Sequence, residues 1–521
     1  MALMRSIATV GGWTMVSRVL GFARDAMMAG VLGAGPAAEA FVVAFRLPNL
    51  FRRLFAEGAL NAALVPIYAK RLERDGKESA IRFGGEAAVL LVLTMLVLTV
   101  LAMAFMPFVI LVLAPGFGAD ADTFALAVAL STITFPYLTF MALSALLSGM
   151  LNTVDRFGAA AAAPLLLNIV LIVAMGLSLA DLLPTLPAFA LAWGVFIGGV
   201  LQFGLIAWDC HRAGILVHLP RPRLSPDIIS LLRRMGPGVL SAGVSQINTV
   251  VSTMLAPLLP AGAIAHLYYA DRVAQLPLGV IGVAISVALL PLLSRQLSAK
   301  DMTGASDSLN RALEIGLLFT LPATAALIAM PMPVVDILFQ RGAFSPEDAQ
   351  ITAAITAAMA IGLPSVVLAK ILSPAFFARG DTRTPLILAA ISMAANVLLA
   401  VLLMQAMGSV GIALAASFAA WINAGMMAAI LSQRGHLPLD ARFRRRLPRL
   451  LLAAITMGLA LYAGVQFIPQ LVEGTLVLRI AALAGLVLIG AILYFTLAQV
   501  LGGTDLRDVK RALTRRRKLT E

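Results

Sequence analysis

The chain is 521 residues long, 60% apolar and only 12% Asp, Glu, Lys or Arg, about half the charged share of a soluble globular domain. Charge this sparse cannot cover a water-facing surface of that size, which excludes soluble enzymes and disordered chains. The single cysteine, Cys210, excludes an intramolecular disulfide scaffold.

A bilayer core requires about 20 mostly apolar residues per helix. Windows of that size predict spans over 8–32, 37–68, 87–113, 123–150, 159–180 and 187–208, then over 227–256, 264–294, 312–338, 349–378, 385–406 and 410–431, and finally over 449–469 and 478–501. The fold class expected is therefore all-α, a polytopic membrane protein of fourteen transmembrane helices. The alternating segments of about ten residues that build a membrane barrel do not occur. The first span is not a cleavable signal peptide, because Arg18 and Arg24 lie inside it and it runs directly into the second.

The formal net charge is +13, and its placement matters more than its size. The N-terminus, the even-numbered loops and the C-terminal tail carry thirty Lys or Arg, among them Lys70, Arg71, Arg74 and Lys77, Arg442, Arg444, Arg445 and Arg446, and Arg515, Arg516, Arg517 and Lys518. The odd-numbered loops carry only Arg341 and Arg479. Basic loops stay in the cytoplasm, so both termini are expected there, which requires an even number of spans. The basic tails read as topology signals and contacts for anionic lipids at the cytoplasmic surface, not as a nucleic-acid site.

With Arg233, Arg234, Arg449 and Arg479, which lie toward span ends, counted with the flanking loops, seven basic residues remain inside the spans: Arg18, Arg24, Arg46, Arg52, Arg53, Arg272 and Lys370. Each costs roughly 3 kcal/mol near the bilayer centre unless it finds a partner or water. Five of them sit in the first two spans against three acids, Asp25, Glu39 and Glu57. Two readings compete: structural ion pairs, or a wet cavity that holds an anion. The surplus of cations favours the cavity, and a planar guanidinium suits the paired oxygens of a phosphate. Arg272 lies beside Asp271, a neutralising neighbour. At about 100° per residue, Glu39, Arg46, Arg53 and Glu57 fall near one face and Arg52 falls off it. Gly21 and Pro48 are breaks able to re-aim the residues downstream of them, so periodicity leaves the choice between Arg52 and Arg53 open.

The chain also resembles itself at an offset of about 226 residues. FRLPNLFRRLFAEGALNAALVP (45–66) pairs with DRVAQLPLGVIGVAISVALLP (271–291), and LNTVDRFGAAAAAPLLLNIVLI (151–172) with FARGDTRTPLILAAISMAANVLL (377–399). In the second pair a charged turn precedes a helix with an internal Asn, Asn168 or Asn396. Such a repeat predicts an N-lobe over 1–208, a cytoplasmic linker over 209–226, a C-lobe over 227–432, and a C-terminal part over 433–521 with two helices and a basic tail. Transporters built from repeats hold substrate near the midplane and rock between inward- and outward-open forms.

SRVLGFARD (17–25), EAFVVAFRLPNLFRRLFAEGALNAALVPIY (39–68), YYADRVAQLPLGVIGVAISVALLPLLSR (268–295) and ARGDTRTP (378–385) resemble the MurJ/MviN family of lipid II flippases, within the multidrug/oligosaccharidyl-lipid/polysaccharide exporter superfamily. The resemblance covers nearly the whole chain. It implies two six-helix lobes around a central cationic cavity, with the last two helices forming a groove for a polyprenyl tail. It places the family's essential arginines at Arg18, Arg24, Arg52 and Arg272, which selects Arg52 over Arg53. It also matches Glu57 and an acidic position at Glu39, where the family commonly has Asp. Asp25, Glu39, Glu57 and Arg53 are expected as supporting charges.

No cofactor or metal is expected. A G-x-x-x-x-G-K-[ST] loop does not occur, and His211, His218, His266 and His436 lack ligand spacing. Asp155 and Asp381 read as turn formers, and LPRPRLSPD (219–227) as an inter-lobe linker. The expected function is translocation of an undecaprenyl-pyrophosphate-linked disaccharide-pentapeptide, lipid II, to the outer leaflet of the bacterial cytoplasmic membrane by alternating access, for peptidoglycan synthesis. Membrane potential or a monovalent cation would supply the drive, and other cell-wall synthesis proteins are partners to look for. The alternative is a flippase for another polyprenyl-linked saccharide or a multidrug exporter, but an exporter of organic cations would want a net acidic cavity. A membrane enzyme would need acidic or His clusters in larger loops, and a pure scaffold would tolerate loss of all four cavity arginines.

Overall fold

The structure is a computed structural model that describes residues 2–54, 60–217, 220–223, 225–235, 254–468 and 474–504; the side chains of 2–8, 51–54, 62, 279–284 and 287 are outside that description. Among the described residues all regular structure is helical, and nine helical stretches are long and apolar enough to cross a membrane. Every expected span except the seventh falls largely on described helix. Most of the seventh, 236–253, lies outside the described residues, so the count of fourteen rests on the sequence. The chain divides into two compact units, residues 1–265 with 341–345, and residues 266–340 with 346–521.

Unit 1 is built from α1 (Ala2–Leu32), α2 (Pro36–Leu54), α3 (Asn61–Arg74), α4 (Gly76–Ala104), α5 (Met106–Leu113), α6 (Ala121–Thr134), α7 (Tyr137–Asn152), α8 (Gly158–Leu179) and α9 (Pro187–Arg212). The breaks fall where the sequence supplies them. Pro36 and Pro187 open their helices, where a missing N–H costs nothing, and the Asp120 carboxylate accepts the Asp122 N–H at 3.1 Å to start α6. Helix α1 packs on α8, α2 on α6, and α8 on α9. Tyr68, Phe83, Leu146, Met150 and Ile206 form a core in which Cys210 is a buried packing residue. The end of the Pro-rich segment is tied down: Asp227 pairs with Arg71, and Ser225 Oγ donates to Glu86 at 2.6 Å.

Unit 2 holds most of α10 (Ala263–Ser298), then α11 (Met302–Ala329), α12 (Pro331–Phe339), α13 (Pro346–Phe377), α14 (Arg383–Gln433), α15 (Ala441–Phe467) and α16 (Leu476–Val500). The 51-residue α14 is two spans joined at Gly408, whose φ of 55° and ψ of −133° no helix allows. A Cβ at Gly411 would stand 2.3 Å from the Leu403 carbonyl oxygen, so the turn is closed to larger residues. Helices α15 and α16 pack into the same core as Leu313, Leu317, Ile371 and Phe376, through Leu450, Met457 and Tyr494. Outward-facing Phe108, Leu459 and Val477 are 66, 66 and 77% exposed, an arrangement suited to hydrocarbon and not to water.

Candidate functional site

Among the charges expected at the site, the most fully described constellation is in unit 1, around Arg24. This residue lies on α1, which packs along α8. Adjacent residues on a helix do not face each other, so the Arg24 guanidinium folds back to reach the Asp25 carboxylate, donating from Nη2 at 2.7 Å and from Nε at 3.0 Å. Nη1 donates to Asn168 Oδ1 at 3.0 Å. The Asn168 amide then donates to the Ser17 carbonyl at 3.0 Å, beside Gly21, where an added Cβ would be in ordinary contact with Asn168 Nδ2 at 3.5 Å. The guanidinium also stands 5.6 Å from the Phe45 ring centroid, a cation–π contact from α2.

Burial makes this grip consequential. The Arg24 and Asp25 side chains are only 11 and 2% exposed, and a charge this desolvated must be paired and hydrogen-bonded to persist. Three separate nitrogens are held by two partners, which fixes the plane of the guanidinium. Asp25 neutralises that cation, so the arrangement is a buried structural ion pair.

The other expected residues take separate places. Arg18, on the same helix, is exposed and makes no hydrogen bond or ion pair among the described residues. Glu39 is buried in the first turn of α2. Its carboxylate accepts the N–H of Ile264 at 2.8 Å, within unit 1, and so caps a helix start. Arg52 and Arg53 lie on α2 with side chains outside the described residues, and Glu57 lies outside them altogether. In unit 2, Arg272 sits on α10 with its guanidinium carbon 4.6 Å from the centroid of Tyr268, one turn earlier. Asp271 accepts a hydrogen bond from Gln275. Arg46 and Lys370 are half-buried on α2 and α13. Among the described residues no group of three or more His, Cys, Asp or Glu side chains comes together as a metal site would require.

Ser17, Phe45 and Asn168 join the site without having been expected there. The signal for Asn168 was present: an amide inside an apolar helix must find partners when buried.

The model of the family described as "Lipid II flippase MurJ" matches residues 28–482. A probable lipid II flippase MurJ of Rhizobium meliloti (strain 1021) is 42% identical over 99% of this chain and 97% of its own length. A lipid II flippase MurJ of Burkholderia cenocepacia (strain ATCC BAA-245 / DSM 16553 / LMG 16656 / NCTC 13227 / J2315 / CF5610) is 33% identical over 96% of this chain and 98% of its own. Among solved structures, a lipid II flippase MurJ in an inward closed conformation superposes with a TM-score of 0.79 at 26% identity, covering 96% of this chain and 99% of that one. An inward-facing multidrug resistance MATE family transporter of the MOP superfamily has a TM-score of 0.68 at 16% identity, covering 82 and 97%, a likeness of fold alone.

Proposed function

The chain belongs to the lipid II flippase MurJ family, and from that premise we propose that it carries lipid II from the inner to the outer leaflet of the bacterial cytoplasmic membrane by alternating access. The observation that carries the reading is the relationship to named lipid II flippases over essentially the full chain. Arg24, in its ion pair with Asp25, is the most fully described of the residues that this reading assigns to the head group. In this reading Arg18, Arg24, Arg52 and Arg272 grip the pyrophosphate and its sugar-peptide head, while the polyprenyl tail stays in lipid. A polar route avoids the cost of drawing two phosphates through hydrocarbon. Asp25 holds Arg24 in place, and Glu39, Glu57 and Arg53 adjust the local balance of charge. The protein is a transporter and not an enzyme, with both termini cytoplasmic.

Outward movement of a net anion is favoured by an inside-negative potential, at about 2.3 kcal/mol per charge for 100 mV. Potential or a coupled monovalent cation is therefore the proposed drive.

Arg24→Ala tests the reading. With membrane insertion matched to the parent, outer-leaflet lipid II, read by a leaflet-accessibility assay in cells depleted of the parent protein, should fall at least tenfold, the loss of about 1.4 kcal/mol or more that removal of a charge-assisted contact implies. Delivery at the parent rate would overturn the assignment of Arg24.

A further inference from the structure

Four arginines crowd the first turns of α15, at 442, 444, 445 and 446. The sequence treats them as one basic run; the packing divides them. Arg446 is bonded to Glu314 of α11, and Arg442 donates to the same carboxylate from Nη2 at 3.3 Å. Glu314 is buried, and Arg311 shares it. Arg311 also pairs with Asp440, whose carboxylate accepts the Phe443 N–H at 2.6 Å and caps α15. Asn310 completes the joint by donating to the Pro438 carbonyl at 2.9 Å. The acids at this joint are thus consumed by Arg311, Arg442 and Arg446.

Arg444 and Arg445 receive none of this. Both are exposed, and neither makes a side-chain hydrogen bond or ion pair among the described residues. Arg449, a turn further on, is occupied by the Gly502 carbonyl at 3.1 Å. Leu452 follows Arg444 and Arg445 by eight and seven residues, Ile455 and Leu459 follow Leu452 by three and seven, and the three are 53, 58 and 66% exposed. Positions three, four, seven or eight apart share a helix face, so a double cation stands above an outward apolar stripe. At 1.5 Å per residue the interval from Arg444 to Leu452 is about 12 Å, more than the roughly 5–8 Å of polar headgroup region in one leaflet, so Leu452 reaches the acyl chains when the arginines stand at the phosphates.

We propose that Arg444 and Arg445 form a docking site for the phosphate of an anionic phospholipid, whose acyl chain lies along Leu452, Ile455 and Leu459. Charge complementarity commits the surface to an anionic lipid: two cations with no counter-ion among the described residues attract a phosphate that carries net charge over one neutralised by choline. The inner pair, Arg442 and Arg446, holds α15 to the unit and takes no part in lipid selection. A phospholipid seated here would anchor the end of α15 at the depth of the inner-leaflet headgroups, where the loop charges place it.

The test is a competition between dioleoyl-phosphatidylglycerol and dioleoyl-phosphatidylcholine for the purified full-length protein in detergent, read by native mass spectrometry as the ratio of the two lipids in the first bound adduct. Each arginine near an anionic surface is worth about a fivefold preference. The parent should therefore favour the glycerol lipid, and R444Q/R445Q should lose roughly 25-fold of that ratio with its melting temperature unchanged. R442Q/R446Q should melt earlier and keep the ratio, and the tail variant R515Q/R516Q should keep both. An unchanged ratio in R444Q/R445Q would overturn the proposal. So would an equal fall in the tail variant, which would make the preference one of net charge alone. R444K/R445K guards against a folding defect: it keeps the cations and should keep most of the preference.

Discussion

Two helix hairpins follow the charged turns near 155 and 381, α8–α9 in unit 1 and the two halves of α14 in unit 2, and their mouths are closed with opposite charges. Each is entered through a tight turn with a left-handed residue, Asp155 at φ 58° and Gly380 at φ 75°. Each turn is closed by a bond spanning five residues, Arg156 N–H to the Leu151 carbonyl at 3.0 Å and Asp381 N–H to the Phe376 carbonyl at 3.1 Å. The residue after the left-handed one then pairs with the far end of its hairpin. In unit 1 that is Arg156 with Asp209, at 2.6 Å; in unit 2 it is Asp381 with Arg434, also at 2.6 Å. Both hairpins thus carry a pair across the mouth, with the signs exchanged; we infer that the sign is free there.

The match is incomplete in one respect. The Asp381 carboxylate, one residue before the N-cap Thr382, also accepts the Thr384 N–H at 2.9 Å and the Thr384 hydroxyl at 2.7 Å, and so serves as a cap for the first turn of α14. Helix α8 has no side-chain cap. Asp381→Ala should accordingly show the largest effect of any change at either turn, about 1–2 kcal/mol from a lost cap and a lost, partly exposed pair, read as an earlier thermal transition in detergent. The Thr384 backbone and hydroxyl and then Arg434 hold the Asp381 carboxyl down to about 2, from an ordinary 3.8. A carboxyl depressed on folding stabilises the protein above its unfolded value and ceases to do so as pH falls through the folded one. The parent should lose this contribution between about pH 4 and pH 2, and Asp381→Ala should lack that part of the pH dependence. Parallel pH curves for the two proteins would break the comparison at its stronger end.

Features that depend on composition and on breakers were legible in the sequence. The apolar windows located the described spans, and the gap between 406 and 410 marked the bend at Gly408. The lone pair Arg24–Asp25 was visible because its members are adjacent. Partners far along the chain were not. Asn168 lies 144 residues from Arg24, and the periodicity of one helix carries no record of which neighbour needs an acceptor. For the same reason Glu39, expected to support the arginines, shows as its described partner a backbone N–H 225 residues away. Arg479, a stray charge in the loop count, is paired with Asp336. Helix phase could not choose between Arg52 and Arg53, and their side chains lie outside the described residues.

The left-handed residues give a smaller and cleaner contrast. No atom lies within 4 Å of a Cβ added at Gly380, so Gly380→Ala meets only the backbone penalty of a left-handed L-residue, about 1 kcal/mol. At the left-handed position of the other turn, Asp155 already carries that penalty, eased by the local hydrogen bonding open to Asp. Asp155→Gly should therefore raise stability, by about 0.5 kcal/mol. Opposite signs at the two positions, measured as melting shifts, would sharpen the comparison; a shift of the same sign in both would break it.

Exchanging the charges separates pair from cap. The Arg156 side chain is 38% exposed and can turn to water when its partner is lost, so truncating Asp209 should cost about 0.5–1 kcal/mol. The exchange R156D/D209R restores a pair of the sign that unit 2 uses. It should come within about 0.5 kcal/mol of the parent, because additivity fails for residues in contact. D381R/R434D rebuilds a pair of the sign that unit 1 uses but cannot rebuild the cap, since a guanidinium has no acceptor for the Thr384 N–H. That exchange should remain about 1 kcal/mol below the parent, the worth of the cap alone. If both exchanges recovered equally, the cap would contribute nothing and the two hairpins would be energetic mirror images. If neither recovered, the mouth of the hairpin would be reading residue identity after all, and the inference that sign is free there would fail.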